Sequence, residues 1–150
     1  MSPIPSTAAV GLVVVDHGSR RVESNTAHEQ LVRAWAGTRE YAAVEPAHME
    51  LAEPTIADAF ARCVAQGATT VVVAPYFLGP GRHWDQDIPA LAAAAAADHP
   101  GVRHLVSAPL GPDPRLLDLL EERVEECAAR ADGSTGPCDR CRATGPCRFV

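Results

Sequence analysis

The sequence predicts an α/β protein with a central four-stranded parallel sheet flanked by helices, followed by a Cys-rich C-terminal tail. Three observations carry this prediction. Short β-branched runs alternate with segments of helical period, the predicted order is βαβαβαβα, and after Ala131 the pattern gives way to Gly, Pro and Cys. Strands that alternate with helices pair in parallel, and we expect their crossovers to be right-handed.

The strand predictions rest on β-branched runs that end at turn residues. LVVVD and TTVVVA are typical of buried strands, whereas Pro46 interrupts the second strand and weakens its prediction. The four predicted strands are Leu12–Asp16, Tyr41–Met49, Thr69–Ala74 and Val102–Ser107.

The helix predictions rest on apolar residues at helical spacing and on helix-end signals. Gly37 and Gly67 stand where helices should end, and Pro89 falls in a first turn, where proline is tolerated. The predicted helices are Val22–Ala36, Thr55–Gln66, Ile88–Asp98 and a last helix with an apolar face from Leu116 to Cys127.

We expect one domain, because 150 residues suffice for one sizeable core. The predicted division is an N-terminal extension of residues 1–9, a domain of residues 10–130 and a tail of residues 131–150. The apolar run Ala8–Val15 follows no basic residue and ends at Asp16. It therefore predicts neither a signal peptide nor a membrane span, and we expect a cytoplasmic protein.

All thirteen basic residues are arginine, and the net charge is −6. The lack of lysine excludes a phosphate-loop lysine, a Schiff-base lysine and a lysine general base. The negative charge argues against general nucleic-acid binding, which needs a basic face. An anionic ligand would need local arginines, for which Arg20, Arg21 and Arg82 are the candidates.

Chemically able residues are concentrated in the loops that follow the predicted strands, where open α/β sheets bind ligands. His17 and His83 follow different strands and could face one cavity, where imidazoles can bind a divalent metal or accept protons. Glu50 or Glu53 could carry protons away. The alternative is that these glutamates only stabilise the N-terminus of the next helix. These loops indicate a ligand site without naming a substrate.

The other histidines receive a more ordinary interpretation. We interpret His28, on a helix, and His99 and His104, near the turn at Pro100, as structural residues. His48 lies in or beside the second strand, and the sequence fits equally a packed residue and a neighbour of the site.

Four motifs resemble those of the sirohydrochlorin chelatase family, the small class II chelatases, in order and spacing. They are DHGSRR from Asp16 with Glu23, Ser24 and Asn25 after it, VEPAHMELAEPTI from Val44, PYFLGPGRHWDQDIPAL from Pro75 and APLGPDP from Ala108. The likeness spans about residues 10–127. It implies a chelatase-type α/β domain and a lyase-type metal chelatase. It further implies that His17 and His83 bind the incoming metal and take pyrrole protons, with Glu50 as the acidic residue of the second motif.

The resemblance also implies a polycarboxylate tetrapyrrole, sirohydrochlorin, as the substrate. Arginine can grip a carboxylate through two parallel hydrogen bonds. The predicted substrate-binding residues are Ser19, Arg20, Arg21, Gly81 and Arg82. Gly18, Gly79 and Gly81 would let the backbone approach a flat macrocycle. A single copy of the domain resembles the short family members, which work as homodimers.

The five cysteines divide into one predicted core residue, Cys63, and four others near the C-terminus. The latter are Cys127, Cys138, Cys141 and Cys147. Disulfides are disfavoured in a cytosolic protein, and a zinc site usually has two C-x2-4-C knuckles where this tail has one. An iron–sulfur cluster needs thiolates but tolerates irregular spacing, so on spacing alone a cluster and a zinc site both stay open.

The tail resembles that of plant-type, iron-inserting family members, which carry a cluster in this region. Together with the spacing, this resemblance favours a cluster over zinc, with Cys138, Cys141 and Cys147 as ligands. The type [2Fe–2S] is favoured and [4Fe–4S] stays open. Cys127 is the expected fourth ligand, unless the other subunit or a solvent species supplies it. The predicted activity is insertion of Fe²⁺ into sirohydrochlorin to give siroheme, with release of two protons. The alternatives are a cobalt- or nickel-inserting chelatase, or a non-catalytic iron- or tetrapyrrole-binding sensor or delivery protein.

Overall fold

The structure, a computed structural model, describes residues 6–132. The chain divides into two compact units, one that ends at Pro112 and one that begins at Asp113. The division predicted from the sequence, into residues 1–9, 10–130 and 131–150, stays a prediction.

The first unit holds four strands and three helices. The strands are β1 (Val10–Asp16), β2 (Ala43–His48), β3 (Thr70–Pro75) and β4 (Arg103–Val106). The helices are α1 (Val22–Ala36), α2 (Ile56–Ala65) and α3 (Ile88–Ala97), and a 3-10 turn spans Thr7–Ala9. The second unit holds α4 (Pro114–Ala131).

The four strands form one sheet in the order β2-β1-β3-β4, and every neighbouring pair is parallel. The predicted α/β fold class is confirmed, and the predicted strands and helices are present with small shifts at their ends. This order places β1 between β2 and β3. The loops that follow these three strands therefore leave the sheet side by side at its carboxyl edge.

An element beside the site was not predicted from the sequence. His83–Asp87, predicted as part of a loop, forms a π-helical turn that runs directly into α3. The N–H of Ile88 donates to the carbonyl of His83, a bond that spans five residues. Such wide turns are rare and have no apolar period of their own, which is why the sequence did not indicate it.

The core lies between the sheet and the two helices α2 and α3. Cys63 is fully buried against β1, as predicted, and burial raises the pKa of its thiol to about 12. A Cβ at Gly11 would lie 2.7 Å from the Cβ of Cys63. The glycine within β1 therefore allows α2 to approach the strand closely.

The other face of the sheet meets α1, which packs mainly on β2. The ring of His28, on α1, donates from Nε2 to the carbonyl of Val14 at 3.0 Å. Helices thus cover both faces, and no helix among residues 6–132 combines the length and the apolar character needed to cross a bilayer.

Candidate active site

The two predicted site histidines lie together at the carboxyl edge of the sheet. His17 directly follows β1, and His83 begins the π-helical turn after β3. Their imidazole centroids are 4.8 Å apart with an interplanar angle of 71°. The structure therefore brings them into one place, while their roles as metal ligands and proton acceptors stay predictions.

His17 is engaged at both ring nitrogens. Its Nδ1 lies 3.2 Å from the carbonyl oxygen of Gly18, and its Nε2 lies 3.0 Å from Oε1 of Glu50. A carbonyl only accepts, so Nδ1 carries a proton and donates it. The Nε2 atom and the Glu50 carboxyl group then share a position where one proton can reside. Both side chains are about half exposed.

The His17 and Glu50 loops are joined through their backbones. Glu50 donates its N–H to the carbonyl of His17 at 3.1 Å, and Gly18 has a φ of +88°. A Cβ at Gly18 would collide with the carbonyl oxygen of Glu50. Gly18 is therefore needed for a contact within the protein, rather than for the predicted approach to a macrocycle. By contrast, a Cβ at Gly79 or Gly81 would meet open space.

His83 has one engaged nitrogen and one open nitrogen. Its Nδ1 lies 2.7 Å from Oδ2 of Asp87, one π turn along the chain. An ionised carboxylate only accepts, so Nδ1 donates, and in the neutral imidazole Nε2 then carries the lone pair. Within residues 6–132, Nε2 of His83 has no hydrogen-bond partner. The sequence showed Asp87 only as part of a motif, and the structure adds its contact with His83.

A cavity of about 260 Å³ opens beside the two histidines. Its lining combines the imidazoles with aromatic and glycine-rich surface: His17, Phe77, Gly79, Pro80, Gly81, Arg82, His83 and Trp84. The indole N–H of Trp84 donates to the carbonyl of Ser107 at 2.9 Å, which ties this wall to the loop after β4. Gly81 and Arg82, two predicted substrate-binding residues, are thus part of the cavity lining.

The other three predicted substrate-binding residues lie in the loop between His17 and α1. Ser19 is tied down: its N–H donates to the side chain of buried Asn25, and its hydroxyl accepts from the N–H of Arg21. Arg20 and Arg21 are exposed. Asn25 entered the sequence prediction only as part of the first motif, and the structure adds that its amide donates to the carbonyl of Ser19 and closes this loop.

The second-motif glutamates differ. Glu50 pairs with His17, whereas Glu53 is exposed and has no ion-pair or hydrogen-bond partner in the part of the chain that the structure describes. Of the two glutamates predicted as proton carriers, Glu50 is the one that contacts a site histidine, and its role stays a prediction.

A second histidine pair lies buried beside the site. His48 is fully buried, with Nδ1 2.6 Å from Oδ1 of Asp16 and Nε2 3.1 Å from Oε1 of Glu29. The ring of His28 lies 5.6 Å from that of His48, and its Nδ1 is 3.8 Å from Asp16. His48 is therefore both a packed residue and a neighbour of the site. Asp16 and Glu29 are partners that the sequence did not single out.

His99 and His104 lie at the opposite end of β4 from the site. Their rings pack on Phe60, with centroid distances of 5.5 and 6.5 Å. These contacts fit the structural role expected of both residues.

Of the four predicted cluster ligands, only Cys127 lies within the described residues, and it is exposed on α4. Cys138, Cys141 and Cys147 lie outside them. Among residues 6–132, no group of three or more His, Cys, Asp and Glu side chains is arranged to hold a metal ion.

Comparison with known proteins identifies a family. The family model of CbiX matches residues 11–127. The chain is 50% identical over 141 residues to the chloroplastic sirohydrochlorin ferrochelatase of Arabidopsis thaliana, covering 94% of this chain and 63% of that protein. It is 31% identical over 119 residues to the sirohydrochlorin cobaltochelatase of Sulfolobus acidocaldarius, covering 78% of this chain and 91% of that one.

Solved structures of sirohydrochlorin chelatases also match the chain. The sirohydrochlorin chelatase SirB of Bacillus subtilis subspecies spizizenii, in complex with cobalt, matches with a TM-score of 0.73 and 30% identity, over 78% of this chain and 50% of SirB. SirB of Bacillus subtilis with Fe³⁺ matches with the same TM-score and 29% identity, over 78% of this chain and 46% of that one. The chain thus spans about half the length of SirB and less than two thirds of the Arabidopsis protein.

Proposed function

The chain belongs to the CbiX family, and from this premise we propose that it inserts Fe²⁺ into sirohydrochlorin to give siroheme, with release of two protons. The observation that carries the proposal is the pair His17 and His83, whose rings are 4.8 Å apart and each of which has its own carboxylate. The 50% identity to a plant sirohydrochlorin ferrochelatase supports both the tetrapyrrole and the metal.

The two histidines would divide the chemistry. Nε2 of His83 keeps a lone pair, because Asp87 holds the proton on Nδ1, so this atom can bind the incoming ion or take a pyrrole proton. At His17 the ring and Glu50 together can hold a pyrrole proton between Nε2 and the carboxylate. Both groups are about half exposed, so water can collect the proton afterwards.

Substrate carboxylates would be held by arginine. Arg82 lines the cavity, and Arg20 and Arg21 are exposed on the loop that follows His17. Gly81 leaves open space for a flat ring, and Ser19 holds the loop that carries the two arginines. Guanidinium groups suit such carboxylates because they donate two parallel hydrogen bonds.

A homodimer is part of the proposal. The cavity of about 260 Å³ is smaller than the range of about 300–1,000 Å³ typical of sites that enclose a drug-sized ligand. One copy would therefore hold the reacting edge of the macrocycle, and a second copy would cover more of it. Light scattering at micromolar concentration tests this, and a monomer that turns over normally would contradict it.

Cobalt insertion is the second candidate, because the Sulfolobus relative is a cobaltochelatase. Anaerobic initial rates with Fe²⁺, Co²⁺ and Ni²⁺ at equal concentration separate the two. We expect Fe²⁺ to be fastest, and a higher rate with Co²⁺ or Ni²⁺ would overturn the metal assignment.

We also propose the iron–sulfur cluster on Cys127, Cys138, Cys141 and Cys147, favouring [2Fe–2S]. The donor set fits, because four thiolates are the ligands that such clusters use. A cluster exchanges single electrons, whereas metal insertion moves none, so no step is assigned to it. Anaerobically purified protein should show broad visible absorption that Cys141→Ser removes. A colourless protein with stoichiometric zinc would overturn the proposal.

The decisive test of the function is turnover. Purified protein with sirohydrochlorin and excess Fe²⁺ under nitrogen should form siroheme over many cycles, followed by its absorption spectrum. Stoichiometric binding without multiple turnover would instead indicate a sensor or delivery protein. The cytoplasmic location expected from the sequence also stays a proposal, since the Arabidopsis relative is chloroplastic.

A further inference from the structure

A chain of ionisable side chains lies directly behind the His17 loop. Asp16 contacts His48 at 2.6 Å, and His48 contacts Glu29 at 3.1 Å. The imidazole of His48 is fully buried, while the carboxylates of Asp16 and Glu29 are 24% and 29% exposed. The proposed insertion chemistry uses none of these three groups.

Burying such groups is costly. Ionisable side chains lose their hydration when buried, and apolar residues of similar volume often give equal or greater stability. A fully buried histidine between two carboxylates is therefore poorly explained by stability alone. The position of His48 in the fold indicates a second role for this residue.

The three residues join three elements at one level. Asp16 is the last residue of β1 and the register partner of His48, the last residue of β2, while Glu29 lies on α1. Oδ1 of Asp16 also accepts the N–H of Gly18 at 3.0 Å. One carboxylate oxygen thus binds both the neighbouring strand and the turn that carries His17.

Beyond this point the two loops continue side by side. Met49 donates its N–H to the carbonyl of Asp16 at 2.8 Å, and Glu50 donates to the carbonyl of His17 at 3.1 Å. The side-chain bond between Asp16 and His48 lies at the base of this pairing. The orientation of His17 toward Glu50 therefore depends on how firmly that base is held.

We propose that Asp16, His48 and Glu29 are positioning residues that hold the His17 loop against the Glu50 loop, so that the pair between these two side chains stays formed. The inference rests on the proposed chelatase for its activity readouts. It has a second, structural readout that does not depend on turnover.

The activity test compares Asp16→Ala with Asp16→Asn. Alanine removes the acceptor for both Gly18 and His48, and we expect kcat to fall at least about tenfold while KM for sirohydrochlorin stays within about twofold. Asparagine keeps an oxygen at the same place and should retain activity within about threefold. An Asn variant as poor as the Ala variant would overturn positioning, because charge rather than geometry would then matter.

A less disruptive variant tests the network in case Asp16→Ala does not fold. Glu29→Ala removes the outer end of the chain and should lower kcat by about threefold, less than Asp16→Ala. Its matched control is Glu23→Ala, an exposed glutamate on the same helix, which should leave kcat unchanged. Equal effects of the two helix variants would count against the network.

A double-mutant cycle separates positioning from general support. In a Glu50→Ala background the His17 pair is already lost, so Asp16→Ala should cost less than about twofold in kcat. The same tenfold loss in both backgrounds would overturn the proposal, since Asp16 would then act independently of the pair.

Amide hydrogen exchange tests the same idea without turnover. In Asp16→Ala, the amides of Gly18 and Glu50 should exchange at least about tenfold faster, whereas the core amide of Phe60 should be unchanged. Unchanged protection at Gly18 and Glu50 would overturn the proposal even if the protein is an active chelatase. If the unsubstituted protein does not turn over, the proposed function fails and the exchange result still decides the positioning.

Discussion

The exposed pair His17 and His83 and the buried pair His28 and His48 lie at the same edge of the sheet with similar spacing, 4.8 and 5.6 Å between centroids. They differ in what their nitrogens meet. His83 leaves Nε2 open, whereas both nitrogens of His48 face carboxylate oxygens. At the surface, the exposed pair thus has one open nitrogen, on His83, and one contact to a half-exposed carboxylate, from His17, whereas the ring of His48 is buried and held at both nitrogens.

The position of each residue relative to the strand end explains the difference. His48 is the last residue of β2 and points into the layer beneath α1, while His17 follows the end of β1 and lies at the cavity. His17 therefore lies one residue beyond Asp16, the register partner of His48, and this single step places it at the exposed edge instead of in the buried layer.

The largest effect expected from this comparison is on activity. His83→Ala should lower the rate of siroheme formation by about 1,000-fold, because it removes the open nitrogen. The thermal midpoint should hardly change, since the ring is half exposed. Steady-state rates and thermal unfolding check this, with His104→Ala, remote from the cavity, as the control. Full activity in His83→Ala would remove this residue from the site.

The buried pair should respond through stability. His48→Ala leaves the carboxylates of Asp16 and Glu29 without their shared partner, and should lower the free energy of unfolding by about 3 kcal/mol. Urea unfolding of this variant beside Gln30→Ala checks the contrast. Gln30 is exposed on α1, and its substitution should change the free energy of unfolding by less than about 0.5 kcal/mol. Equal stability of the two variants would contradict it.

The contact between the loops gives the next effect. Gly18→Ala adds a collision with the Glu50 carbonyl to the strain of a positive φ, and should cost about 2 kcal/mol. Gly67→Ala has the strain alone, because its Cβ would meet open space, and should cost about 1 kcal/mol. Urea unfolding measures both costs. Equal costs would contradict the prediction, because they would show that the Glu50 loop moves aside without a penalty.

The smallest expected effect on stability is at Asp58, a carboxylate that contacts neither histidine pair. Thr55 and Asp58 form a capping box at the start of α2, and the hydrogen bonds from Thr55 lower the pKa of Asp58. Asp58→Ala removes this carboxylate from the first turn of α2 and should cost about 0.5 kcal/mol at neutral pH. A lowered pKa stabilises the fold above the unfolded value and is lost as pH falls through the folded value. The penalty should therefore shrink below pH 4, which unfolding at pH 7 and pH 3 checks.

The sequence predicted the site in part. The order of strands and loops placed His17 and His83 at one edge, because parallel strands end on the same side. It did not predict the bond from His83 to Asp87, which depends on a π turn, or the partners of His48, which come from β1 and α1. Contacts of this kind depend on strand register and helix placement, which local patterns do not specify.

The resemblance to a family supplied what periodicity could not. Residue types at the loops indicated a ligand site, and only the motif likeness named a tetrapyrrole. The comparisons confirm the family, and the choice of metal and the cysteine tail stay proposals. Asn25 shows a limit of the resemblance, since the motif contained this residue but did not show that its amide closes the loop at Ser19.

The close contact at Gly18 has a consequence for redesign. Because no atom can be added between Gly18 and the Glu50 carbonyl, the first and second post-strand loops form one unit for engineering. If DHGSRR alone were transplanted onto a relative with another metal preference, the first loop would lack the second loop on which it packs at Gly18. A graft that is meant to alter metal choice has to carry residues 16–21 and 44–53 together.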